Sequence, residues 1–244
     1  KPIPTQLAIL DINGNGYADR LYAGDTGGGI WRFDIGSDLT TGWTGRKIFY
    51  KPAVTLELGY EMLFFGTGDR AHPVSATEVN RLYAVKDAGQ TTAKAESDLS
   101  NATSSSSVNI ASTYGWYVKL DTNTEEKVLA QAAVFGGVAY YTTYTPVVTA
   151  SMCSTGGGTS RLYGLEYLTA AAAYNYNTSN DTLSGAVKDA TDRSTIIGSG
   201  IASGIVTVVS PRGFTALVGS GGAIVKPDVK KSGSSIPTYW REVR

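Results

Sequence analysis

Oxygen-bearing side chains recur at alternate positions in one short segment near the start of the chain, DINGNGYAD over residues 11–19. Its first, third, fifth and ninth positions carry carboxylate or amide oxygens, and its seventh offers a backbone carbonyl: Asp11, Asn13, Asn15, Asp19 and Tyr17. Calcium takes roughly six to eight oxygen ligands, which a tight loop provides by pointing every second residue inward. The spacing therefore predicts a calcium site formed by these five residues.

The surroundings of the segment distinguish it from an EF-hand. Gly16 stands at the sixth position, where an EF-hand loop has its glycine, but the segment closes with Asp19 at the ninth position rather than with Glu at the twelfth. Apolar, strand-like runs flank it, LAIL at residues 7–10 and LYA at residues 21–23. We therefore expect a metal-binding loop inside a β-hairpin. An ordinary turn rich in Asp, Asn and Gly is the alternative.

Composition narrows the class of protein. The chain has 244 residues, 42% of them hydrophobic, which suffices for one domain or two small ones. Its 21 basic and 21 acidic residues cancel, so nothing favours nucleic acid or an anionic membrane as a partner. No apolar run approaches the roughly 20 residues of a membrane-spanning helix. The single cysteine, Cys153, excludes an internal disulfide.

A weak repeat indicates how the elements that position the loop are organised. The motif Arg-Leu-Tyr followed by a small residue begins at Arg20, Arg81 and Arg161, and each copy continues into a short strand. Together with 29 glycines and 15 tyrosines, it predicts an all-β fold, a β-propeller with four-stranded blades. At roughly 45 residues per blade the chain holds about four blades, and we expect an incomplete ring.

Further local patterns complete the predicted domain, which spans residues 1–244. Apolar runs at residues 205–209 and 214–218, separated by SPRG, predict a β-hairpin. Two polar or alanine-rich stretches, residues 90–108 and 170–194, are expected to be loop insertions. The first is expected to be a mobile surface loop, and the second could hold a short helix.

Several motifs in combination resemble the PilY/PilC family of type IV pilus proteins. The longest is LDINGNGYADRLYAGDTGGGIWRFDI, in which the acidic loop leads into DRLYAGD and then WRFD. Similar segments follow in the family's order: FGTGDR with NRLYAVKD, GWY with EKVLAQAAVFGGVAYYTTYTP, CSTGGGTSRLYGLEYL, IGSGI with ALVGSGG, and YWRE. The resemblance covers nearly the whole chain.

This resemblance implies the C-terminal portion of a calcium-binding β-propeller domain, non-enzymatic and associated with the pilus tip. It implies roles in pilus biogenesis, twitching motility and adhesion to surfaces or host cells. The implied partners are minor pilins, the N-terminal part of the same protein, and a host or surface receptor. The implied location is extracellular, at the cell surface or the outer membrane. An integrin-binding Arg-Gly-Asp motif has no match, so integrin binding is not expected.

Other motifs each have a functional and a structural interpretation. The DTG at residues 25–27 is found in aspartic proteases, but that chemistry needs a second copy, and a hairpin turn is the better interpretation. Glycine-rich stretches at residues 154–160 and 219–223 are interpreted as turns rather than phosphate sites. His72 is the only histidine, with no second histidine and no nearby thiol to join it in a site. The sequence therefore argues against a zinc site or a Ser-His-Asp triad. The tryptophans could line a sugar groove, but packing between blades is favoured: Trp31, Trp43, Trp116 and Trp240.

Two alternative functions remain open at the level of sequence. One is a generic calcium-stabilised adhesive propeller of the integrin type. The other is a fragment of a quinone-dependent dehydrogenase, a class that also combines a propeller with calcium. Such dehydrogenases close a full ring around the cofactor and commonly carry adjacent cysteines. The lone cysteine and the incomplete ring expected here therefore argue against this alternative.

Overall fold

The computed structural model describes residues 2–4, 6–12, 20–34, 37–41, 46–74, 78–92, 94–123, 125–147, 157–183, 185–210 and 213–228. Within these ranges the chain forms β-strands and three short 3-10 helices. The strands form four small sheets arranged as a four-bladed β-propeller. The predicted all-β propeller class and the predicted number of blades are therefore confirmed. In the same ranges, no helix is long and apolar enough to cross a membrane.

Blade 1 is a four-stranded antiparallel meander that carries the predicted metal segment between its first two strands. Leu10 pairs with Arg20, and the next hairpin pairs Gly24 with Ile30. Ala8 and Leu10 are buried while Ile9 between them is exposed, the alternation of a strand with one covered face. Its strands are β1 (Ala8–Leu10), β2 (Arg20–Gly24), β3 (Ile30–Asp34) and β4 (Ser37–Thr41).

Blade 2 has five strands in the spatial order β5-β6-β7-β9-β8, with β8 parallel to β9. Its strands are β5 (Ala53–Glu57), β6 (Tyr60–Gly66), β7 (Arg81–Asp87), β8 (Ser100–Asn101) and β9 (Gly115–Lys119). The apolar run of β6 is buried almost throughout, as expected for a strand covered on both faces by neighbouring blades. Residues 90–108 contribute a 3-10 helix (Glu96–Asp98) and β8, and they bury Leu99 and Ala102. Part of this stretch therefore belongs to blade 2.

Blade 3 is built around β12, whose side chains are buried along nearly its whole length. It comprises β10 (Lys127–Val128), β11 (Ala133–Phe135), β12 (Val138–Thr145), β13 (Thr159–Glu166) and β14 (Ser194–Ser199). Between β13 and β14, the described part of residues 170–194 contains two 3-10 helices, Thr178–Asn180 and Ala190–Arg193. The helix considered for this stretch is thus limited to single turns.

Blade 4 has three strands, β15 (Val206–Ser210), β16 (Gly213–Ser220) and β17 (Ala223–Val225). The pairing of Ser210 with Gly213 confirms the predicted hairpin. Along β16, Ala216, Val218 and Ser220 are buried and alternate with less buried neighbours. One face of this blade is therefore covered and the other is more open.

Consecutive blades are joined by buried side chains. Tyr22 of blade 1 belongs to one apolar cluster with Leu63 and Phe65 of blade 2. A larger cluster joins blade 2 to blade 3 and includes Trp116, whose indole nitrogen donates a 3.0 Å hydrogen bond to the carbonyl of Tyr167. The interpretation of this tryptophan as packing between blades is thereby confirmed. Blades 3 and 4 are linked by a 2.6 Å hydrogen bond between the hydroxyls of Ser160 and Ser220.

Candidate functional site

The predicted calcium segment connects two neighbouring antiparallel strands. Because Leu10 of β1 lies opposite Arg20 of β2, residues 11–19 form the connection of a β-hairpin. The expectation of strands rather than helices on both sides is confirmed. Asp11 follows β1 directly and is partly buried. The other four predicted ligands lie outside the described residues: Asn13, Asn15, Tyr17 and Asp19.

The donor set of this segment fits a hard cation, because all of its predicted ligand atoms are oxygens. Elsewhere, among the residues that the structure describes, no group of three or more His, Cys, Asp or Glu side chains is placed to hold a metal ion. The calcium site at residues 11–19 stays a prediction.

The residue that follows the predicted loop reaches across to blade 2. The Nη1 atom of Arg20 lies 2.6 Å from Oε2 of Glu61 and 3.9 Å from Oδ2 of Asp87. All three side chains are largely buried. Burial raises the pKa of the Glu61 carboxyl, and the charge of Arg20 opposes that shift. The end of the predicted loop is therefore tied electrostatically to the neighbouring blade.

The carboxylate of Asp87 also binds two other side chains of blade 1. The phenol of Tyr22 donates a 2.6 Å hydrogen bond to its Oδ2 atom, and the guanidinium of Arg32 forms an ion pair with its Oδ1 atom. Together with Arg20 and Glu61, these residues form what we call the interblade cluster, which contains two cationic and two anionic side chains. Buried ion pairs add little net stability, but removal of one partner is costly because it leaves the other charge buried and unpaired.

A small cavity adjoins the interblade cluster. Its volume is about 50 Å³, and Leu63, Phe65 and Val85 give it mostly apolar walls. Tyr22, Arg32 and Asp87 of the cluster line it as well. A space of this size holds a few water molecules rather than an organic substrate.

Asp25 of the DTG motif has a structural role. Its Oδ1 atom accepts hydrogen bonds from the backbone nitrogens of Gly27 (2.7 Å) and Gly29 (2.8 Å). Its Oδ2 atom accepts one from the indole nitrogen of Trp31 at 2.9 Å. The buried carboxylate thus holds the turn between β2 and β3, which confirms the interpretation of this motif as a hairpin.

The single histidine belongs to an ionic group at the surface. Nδ1 of His72 lies 3.0 Å from Oδ2 of Asp69, and Nζ of Lys47 lies 2.6 Å from the same oxygen. Burial would raise the pKa of Asp69, but hydrogen bonds from Lys47 and His72 outweigh it and lower the pKa to about 2. A carboxylate held ionised in this way anchors the loop after β6.

The remaining sequence motifs are distributed as follows. Gly221 and Gly222, with φ of +57° and +80°, form the turn between β16 and β17, as predicted for residues 219–223. In the glycine-rich stretch at residues 154–160, the first three residues lie outside the described residues, and Thr159 begins β13. Cys153, Trp43 and Trp240 also lie outside the described residues.

The three copies of the Arg-Leu-Tyr motif share a tyrosine–carboxylate hydrogen bond that the sequence did not reveal. The tyrosine of each copy is buried, and its phenol is hydrogen-bonded to a carboxylate. The pairs are Tyr22 with Asp87, Tyr83 with Glu96, and Tyr163 with Glu126. In each pair burial is the main reason that the pKa of the tyrosine is raised. The repetition of Tyr was the only signal in the sequence.

Comparison with known proteins finds a distant relative. No protein-family model matches the chain. It is similar to a type IV pilus biogenesis factor, a PilY1 homolog of Xylella fastidiosa, with 26% identity over 212 residues. The similarity covers 68% of this chain but 14% of that relative, so the chain spans a small part of the relative's length. At this coarse level the comparison agrees with the resemblance found in the motifs.

Proposed function

We propose that this chain is a non-enzymatic β-propeller module of a type IV pilus biogenesis protein, carried at the cell surface with the pilus tip. The observation that carries the proposal is the similarity to a pilus biogenesis factor over 68% of the chain. The four-bladed propeller supports it, because propellers present loops from several blades at one end of a rigid scaffold. Its partners are minor pilins and the rest of the same protein, and its roles include twitching motility and adhesion.

Calcium is the second part of the proposal, with residues 11–19 as its site. Asp11 and Asp19 balance the charge of one calcium ion, and Asn13, Asn15 and the carbonyl of Tyr17 add neutral oxygens. Two carboxylates give a low ligand charge, so we expect a dissociation constant that is micromolar or weaker. When free calcium is about 100 times that constant, binding stabilises the folded state by about 2.7 kcal/mol.

The interblade cluster supports a link between the ion and the fold. Because Arg20 immediately follows Asp19, an ordered loop would fix the position of the Arg20 backbone. The Arg20 side chain in turn contacts Glu61 of blade 2. Calcium would therefore favour the native packing of blade 1 on blade 2. We propose that calcium regulates the module through this packing.

Deletion in the source bacterium tests the assignment to the pilus. We expect a strain whose chromosomal gene lacks the codons for residues 1–244 to lose twitching motility and to display fewer surface pili. A plasmid copy of the whole gene should restore both. Normal motility and normal piliation in the deletion strain, with the shortened protein still detected, would contradict the proposal.

A further inference from the structure

An open groove lies where three consecutive blades meet. Blade 2 contributes Tyr50, which precedes β5, and Arg70, which follows β6. Blade 3 contributes residues 129–133, and the segment that leads into blade 4 contributes residues 201–206. The volume of the groove is about 760 Å³, which is within the range of sites that hold ligands.

The charge of the groove is positive. Arg70 is exposed and is the one charged side chain among the described residues that line it. Its guanidinium lies over the ring of Tyr50, 5.4 Å from the ring centre, and its Nη1 atom donates a 3.4 Å hydrogen bond to the carbonyl of Leu129. No ion pair joins Arg70 to a carboxylate in the part of the chain that the structure describes. This charge favours an anionic group in the groove.

The opposite wall of the groove is apolar and ends in a sheet edge. Ile201 is 48% exposed and Val206 is 59% exposed. Val206 is the first residue of β15, which pairs on one side with β16 and has no second partner among the described strands. Val208, two residues further on the same face of β15, is 44% exposed. An edge strand with exposed valines can accept another strand through its backbone hydrogen-bonding groups.

The floor of the groove is fixed before any ligand binds. The backbone nitrogen of Ser203 donates a 2.9 Å hydrogen bond to the carbonyl of Gly219 on β16. The nitrogen of Gly219 donates in return to the hydroxyl of Ser203, also at 2.9 Å. The hydroxyl of Thr142 on blade 3 donates a 2.9 Å bond to the carbonyl of Ser203. A segment held to two blades in this way lowers the entropy cost of binding.

We propose that this groove binds an extended peptide segment of a separate partner protein, one that carries a carboxylate beside aliphatic residues. The segment adds to the open edge of β15 by backbone hydrogen bonds. Its carboxylate pairs with Arg70, and its aliphatic side chains pack against Ile201 and Val206. The proposal does not depend on calcium.

A labelled peptide with alternating valine and polar residues tests the proposal. The probe is fluorescein-TVDVTV-amide, whose binding to the whole chain is followed by fluorescence anisotropy. For such a short segment we expect a dissociation constant on the order of 100 µM. The same peptide with lysine in place of aspartate, and a version N-methylated at alternate residues, should each bind about tenfold more weakly or not at all.

Two pairs of variants locate the site. Arg70→Gln should weaken binding of the aspartate peptide about tenfold, whereas Lys86→Gln, which removes a cation placed 4.7 Å from the ring centre of Tyr60, should leave it unchanged. Val206→Thr should also weaken binding, whereas Leu56→Thr, at a residue 57% exposed on β5, should not. All four changes are at the surface, so the variants should remain folded.

Three results would overturn the proposal. The first is the absence of binding to the unaltered chain at millimolar concentrations. The second is equal affinity for the aspartate and lysine peptides. The third is unchanged affinity after Arg70→Gln.

Discussion

At the scale of residues, the clearest electrostatic arrangement is the group formed by Lys47, Asp69 and His72. Asp69 is held ionised by Lys47 and His72, and its pKa falls to about 2 from an ordinary value of 3.8. A carboxyl whose folded-state pKa is depressed contributes stability above its unfolded pKa, and this contribution is lost as the pH falls through the folded pKa. The stabilising effect of Asp69 is therefore present above about pH 3.8 and disappears toward pH 2.

Substitution of the lysine tests this arrangement. In carbon-detected NMR titrations, the Asp69 carboxyl of the unaltered chain should titrate near pH 2. In Lys47→Met the midpoint should rise toward 3.8, because the nearest cation is gone. Lys51→Met, a nearby change that removes no contact with Asp69, serves as the control and should leave the midpoint in place. An Asp69 midpoint near 3.8 in the unaltered chain would refute this account.

Local patterns in the sequence predicted some residue roles and missed others. The turn role of Asp25 followed from the glycines beside it, because a turn is determined by residues adjacent in sequence. The partners of the three buried tyrosines could not be predicted in the same way. Asp87, Glu96 and Glu126 lie in a different strand, a 3-10 helix and a loop, respectively, and only the folded chain brings them within hydrogen-bonding distance of the tyrosines.

At the scale of elements, blade 2 depends on a close approach between β7 and β9. Gly115 opens β9 with φ of +118°, a conformation that favours glycine, and it lies opposite Val85. A Cβ atom at this position would lie 2.0 Å from the carbonyl oxygen of Ala84. A side chain there would push β9 away from β7.

Gly115→Ala should therefore destabilise the fold by about 3 kcal/mol or more, through both backbone strain and the clash. Gly59→Ala is a matched control, because Gly59 also has positive φ, +88°, but a Cβ there would meet nothing within 4 Å. It should cost about 1 kcal/mol, from backbone strain alone. Urea unfolding measures both free energies, and equal losses in the two variants would refute the role given to the strand contact.

Elements with strong apolar patterns were the predictable ones. The hairpin of blade 4 and the strands on both sides of residues 11–19 follow from apolar runs separated by turn residues. The Ser, Thr and Ala content of residues 90–108 predicts a loop insertion but not its internal elements. Their 3-10 helix and the two-residue strand β8 are stabilised by contacts with distant residues, such as the hydrogen bond from Ala102 N to the carbonyl of Tyr117. A composition-based prediction does not register such contacts.

At the scale of the whole molecule, the blades are joined in series by side chains from their interior strands. The join between blades 1 and 2 contains two cationic and two anionic side chains. Arg20, the residue after the predicted calcium segment, takes part in that join. We therefore expect calcium binding to affect how the first blade packs on the second.

Calcium titration of the purified, calcium-stripped chain by isothermal calorimetry tests this account most directly. We predict one binding event with a micromolar or weaker dissociation constant, weakened at least tenfold by Asp11→Ala or Asp19→Ala. Asp121→Ala, which removes an exposed aspartate elsewhere, should leave the affinity unchanged. Binding that is absent in the unaltered chain, or that is equally strong in all three variants, would contradict the account.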